Sequence, residues 1–87
     1  MSTPASAANE PLVRAIALLQ AGEWQAAHAI VQAHDSAHAA WLHGIVHTLE
    51  GDLDNARYWY RRAGRPFRGR AAAGDEIAAA RREISAR

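Results

Sequence analysis

Along this chain apolar side chains recur every three or four residues in five blocks, each bounded by glycine, proline or a short polar break. No stretch alternates apolar and polar positions as a half-buried strand does. The first block opens on Asn9-Glu10-Pro11, which supplies an N-cap, an acid and a proline for a first turn, and it runs to Ala21 before Gly22. Trp24, Ala27, His28 and Val31 mark a second helix over about 24–34, ended by the polar Asp35-Ser36. A third helix is expected over 37–50, closed by Gly51, and Asp52 then caps a fourth over 53–63, closed by Gly64 ahead of Pro66. Asp75 is expected to cap a last helix to about 86, with Ala73, Ile77, Ala80 and Ile84 as its stripe. The class that follows is all-α: one helical domain over residues 9–87, behind a Ser/Ala/Pro leader at 1–8 expected to be disordered.

Sliding the chain against itself by 29 residues aligns two of these helix pairs. Leu12 falls on Trp41, Ala15 on Gly44, Ile16 on Ile45, Gly22 on Gly51, Trp24 on Leu53, Ala27 on Ala56 and Val31 on Tyr60. Small matches small and large matches large. The small residues at 15/44 and 27/56 are where paired helices can approach closely, and such a period is the mark of stacked helical hairpins. The expectation is two antiparallel hairpins followed by a C-terminal helix.

At these residues the chain resembles the tetratricopeptide family. Trp41-Leu42-His43-Gly44, then Gly51-Asp52-Leu53, Ala56, Tyr60 and Ala63, follow its order of aromatic, glycine, turn, alanine, aromatic and alanine. Ala15, Gly22-Glu23-Trp24, Ala27 and Val31 follow it more loosely. The offset is 29 residues where that family uses about 34, and two units are present where three or more usually stack. Residues 22–67 also resemble a group of small bacterial proteins of unassigned function. The tetratricopeptide resemblance implies binding of a peptide or protein and no catalytic activity.

Composition narrows the field further. A formal net charge of +1 over 87 residues argues against general binding of polyanions, which scales with the phosphates a basic surface can neutralise. The absence of cysteine removes disulfides, thiolate metal sites and thiol nucleophiles together. Neither a signal-type leader nor an apolar run of membrane length stands in the sequence, so a cytoplasmic protein is expected. No serine or threonine sits in a nucleophile setting, no phosphate-cradling glycine loop is present, and no paired acids mark a cleft. A non-enzymatic chain without a cofactor is the expectation. Because the core is small, a weak homodimer is also expected, with the thin stripe of the last helix taking part.

Two constellations remain. Arg57, Arg61, Arg62, Arg65, Arg68 and Arg70 fall in one acid-free run. If Leu53, Ala56, Tyr60 and Ala63 face the core, then Tyr58, Arg61, Arg62 and Arg65 face outward with Trp59 at the boundary. Arginine beside aromatics suits an acidic protein or peptide partner. The same face and the loop over 57–70 suit nucleic acid or another anion, and it is also what a solvated surface looks like in a chain without lysine. The second constellation is His43, His47 and Glu50, at i, i+4 and i+7 on the third helix, where three side chains can converge on one metal ion. Its alternative is a polar packing network: the 29-residue match sets His47 on Leu18 and His43 on Arg14, which predicts that His47 is the more buried of the two. His34 and His38 flank the Asp35-Ser36 turn and read as solvated.

Overall fold

The computed structural model describes residues 4–85, and among them the chain is all-helical. Five α-helices follow in order: α1 (Pro4–Gln20), α2 (Trp24–Val31), α3 (Ala37–Glu50), α4 (Leu53–Ala63) and α5 (Ala73–Ser85), the last preceded by a short 3-10 turn at Arg70–Ala72. None is long and apolar enough to cross a membrane. Of the leader expected over residues 1–8, residues 1–3 lie outside the described residues, and 4–8 form the start of α1. Proline at the first helical position and the alanines after it favour that start. Pro11 therefore sits inside α1 rather than at its entrance, and gives up one helical hydrogen bond there.

The helix ends follow local chemistry. The Ser36 side chain accepts from the Ala39 amide at the start of α3, and Asp52 accepts from the Asn55 amide at the start of α4. Gly51 and Gly64 close α3 and α4 at φ of 93° and 73°, a left-handed conformation that side-chain-bearing residues resist. Asp75 lies in the first turn of α5 rather than at its cap, because the 3-10 turn feeds straight into Ala73.

Sequential helices pack on one another, α1 on α2 and α3 on α4, while α2 also meets α3 and α5 lies across α1 and α3. Gly44 is where α3 and α4 come closest: a Cβ there would lie 2.5 Å from Cδ1 of Tyr60 and 3.3 Å from the Ala56 carbonyl. Most positions paired by the 29-residue offset share a burial state, including Ala27 with Ala56 and Ile16 with Ile45. The exceptions explain the architecture. Val13 is 39% exposed and Arg14 is exposed, whereas their counterparts Leu42 and His43 are buried. The helix α1 lies at the edge, while α3 is packed by α2, α4 and α5 and is buried nearly all round. The stripe Ala73, Ile77, Ala80 and Ile84 is buried within the same chain, so α5 docks in cis.

Candidate functional site

The stripe of α4 places its side chains much as its periodicity predicts. Ala56 and Tyr60 are buried, Leu53 and Ala63 half-buried, and Tyr58, Arg61 and Arg62 exposed, Tyr58 at 43%. The Arg62 guanidinium lies 5.4 Å from the Trp59 ring centre and 6.0 Å from that of Tyr58, with Asp35 at 3.9 Å. Trp59 and Arg62 line a recess against the α2–α3 turn, whose other walls include His34, Asp35 and Ala40. Among the described residues no acid lies within ion-pair distance of Arg61.

Arg65 departs from the expected face. Its guanidinium lies over the Trp41 ring at 3.4 Å and donates to Glu83 Oε2 at 2.6 Å, so it is half-buried against α5. The Gly64 turn ends α4 and redirects the chain, so helical spacing no longer governs residue 65. His38 also departs from the expected solvated turn, donating to the same Glu83 oxygen at 2.8 Å. Hydrogen bonding by Arg65, then by His38, holds the Glu83 carboxyl below its usual range. Nearby, the buried Glu76 carboxylate accepts from Trp41 Nε1 at 3.1 Å and from the Tyr60 hydroxyl at 2.8 Å through one oxygen, and from Arg68 at 3.4 Å through the other. Burial, then the bond to Glu76, pushes the Tyr60 phenol up. Sequence reasoning missed this tie, although a glutamate inside the apolar stripe of α5 was its signal.

On another side of α3 three histidines meet. His43 and His47 come from α3 as their spacing predicts, and His28 joins them from α2. His28 Nε2 and His43 Nε2 are 3.1 Å apart, one carrying the proton and donating to the other. The His43 ring stacks on Trp59 at 3.8 Å and 8° between planes, and stacks on His47 at 5.0 Å. His47 donates from Nδ1 to Glu50 Oε1 at 2.8 Å. Glu50 is thus beside His47, not facing the gap between the rings. His43 is the more buried histidine, 6% exposed, while His47 is half-buried, the reverse of what the repeat offset predicts. The cause is the central place of α3: α2 and α4 cover the face that α1 leaves open at Arg14. Burial, then the neighbouring His28 and His47, lowers the His43 pKa to about 4, so the ring is neutral near pH 7. The sequence signal for His28 was its place on the inward stripe of α2 beside Ala27 and Val31.

No protein family, curated protein or solved structure matches this chain.

Proposed function

We propose that the chain is a non-enzymatic interaction module that takes an acidic protein or peptide segment on Trp59, Arg62, Tyr58 and Arg61. The observation that carries this reading is the recess at Trp59 and Arg62, with exposed Tyr58 against both of these side chains and exposed Arg61 on the same helix without an acid in ion-pair distance among the described residues. A guanidinium held beside aromatic rings offers a planar fork to a carboxylate next to apolar area that costs little entropy to order. Asp35, at 3.9 Å from Arg62 and fully exposed, is a weak internal competitor that an incoming carboxylate can displace.

The test is a fluorescence-anisotropy titration with acidic, neutral and basic peptides of matched length. Acidic peptides are expected to bind best, and Arg61→Ala with Arg62→Ala to weaken them by roughly 10-fold, about the value of one charge-assisted hydrogen bond. Equal affinity for wild type and double variant removes the reading. A single-stranded oligonucleotide that binds more tightly, with steep salt dependence, replaces it with the nucleic-acid alternative. Self-association is a further proposal, and with α5 docked in cis it falls to the face of exposed Val13 and Ala17 and half-buried Ile30 beside Glu10 and Arg14.

A further inference from the structure

We infer that His28, His43 and His47 are the three protein ligands of a site for a divalent transition metal of the zinc class, with Glu50 orienting His47 and one coordination position left to water. This inference is independent of the peptide-binding reading.

Donor chemistry sets the metal class. Three imidazole nitrogens without a thiolate suit zinc, nickel or copper, and without carboxylate or carbonyl oxygens they do not suit magnesium or calcium. The geometry is close to what zinc requires. With Zn–N bonds of about 2.0–2.1 Å, tetrahedral donors stand roughly 3.3 Å apart. His28 Nε2 and His43 Nε2 are at 3.1 Å, and the ligand nitrogens of all three rings lie within 4.8 Å of one another. Closing the cluster onto an ion therefore needs a shift of about 1.5 Å at most, within reach of a side-chain rotation at half-buried His47.

The surroundings match those of a metal site more closely than those of a packing cluster. Ligands come from two helices packed on each other, α2 and α3, so neither side of the site is a lone strand of flexible chain. The Glu50 carboxylate accepts the hydrogen bond from His47 Nδ1–H, which leaves Nε2 as the lone-pair nitrogen and sets a negative charge behind the ring. Trp59 lies flat on His43 and holds that ring's plane while covering one face from water. Between His28 and His43 one Nε2–H donates to the other Nε2, and a metal ion that displaces this proton to solvent would be bound by both nitrogens. The carboxylate that the group touches, Glu50, lies on the Nδ1 side of His47, so a cation bound at Nε2 leaves that contact in place. The neighbouring group of His47, Glu50 and Asp52 is a poorer candidate: Asp52 is engaged by the Asn55 amide and side chain, and Glu50 by His47.

The experiment uses the full chain, stripped with chelator and titrated with cobalt(II), then with zinc. One cobalt per chain with the intense visible bands of a four-coordinate ion is expected, displaced by zinc, and zinc should raise Tm. Glu50→Gln is expected to weaken binding by roughly 10- to 100-fold, His28→Gln by more than that, and Asp52→Asn not at all. Imidazole nitrogen NMR of the wild type, which needs no folded variant, should show the Nε2 resonances of these three rings moving together on zinc addition. Binding that survives His28→Gln in a folded variant, or that is lost in Asp52→Asn, overturns the assignment. So does the absence of any metal-induced shift at micromolar zinc, which would leave the cluster a hydrogen-bonded packing element.

Discussion

Two polar clusters flank α3, and they are built on opposite principles. Trp41 and His43, two residues apart, point to nearly opposite sides of the helix. On the Trp41 side the buried carboxylate of Glu76 meets an indole N–H, a phenol and a guanidinium, so every acceptor lone pair in use has a donor and the charge is matched. On the His43 side three imidazoles converge with one hydrogen bond, between His28 and His43, and no carboxylate in the group. The first cluster is closed and ties α5 to α3 and α4. The second gathers nitrogen atoms from two helices within 4.8 Å of one another, the arrangement on which the inferred metal site rests.

The largest expected effect breaks the closed cluster. Glu76→Ala leaves the Trp41 N–H and the Tyr60 hydroxyl buried without an acceptor, at about 3–5 kcal/mol in urea unfolding followed by circular dichroism. If that loss is no larger than the one from His28→Ala in metal-free protein, the contrast between the clusters collapses. The second effect is a pH dependence of the histidine side. Folded His43 has a pKa of about 4 against an ordinary 6.5, so the unfolded chain binds the extra proton over that interval. With chelator present, stability should therefore be full above about pH 6.5 and fall by on the order of 2–3 kcal/mol as the pH drops towards 4. His43→Leu should flatten that part of the curve, and an unchanged slope would show that another group titrates there.

A third change reaches the closed cluster indirectly. Gly44→Ala would set a Cβ 2.5 Å from Tyr60 Cδ1, pushing the ring that carries the hydroxyl to Glu76. A cost of about 1–3 kcal/mol is expected, read as a lower Tm, and relief by Tyr60→Leu in the double variant would locate the clash. The smallest effect on folding is at the exposed face. Arg61→Ala with Arg62→Ala should move stability by less than about 0.5 kcal/mol while weakening an acidic peptide by roughly 10-fold. A comparable loss of Tm would mean that these arginines belong to the fold instead.

Helix ends and inward faces were legible because they depend on neighbours in the chain. Gly51, Gly64, Asp52 and Ser36 act within one turn of where they stand, and Ala56, Tyr60, Ile77 and Ile84 fall on stripes that a period of 3.6 residues defines. The pairing of His43 with His47 was legible for the same reason, as two positions one turn apart. Arg65 was not, since it lies just past the glycine where helical spacing stops applying. His28 and Glu76 could be set on stripes, but a stripe says only that a side chain faces inward.

By itself, then, the sequence determined the all-α class, both ends of α3 and of α4, and the aromatic and arginine positions on the outer side of α4. Only the tertiary structure decided that α3 is covered on nearly every side. That coverage made His43 rather than His47 the buried histidine, brought His28 across from α2, and turned Arg65 and Glu76 into anchors for α5. The physical reason is range. Capping and periodicity act over one helical turn, whereas burial depends on which helices cross, and that is settled by apolar surfaces summed over the whole chain.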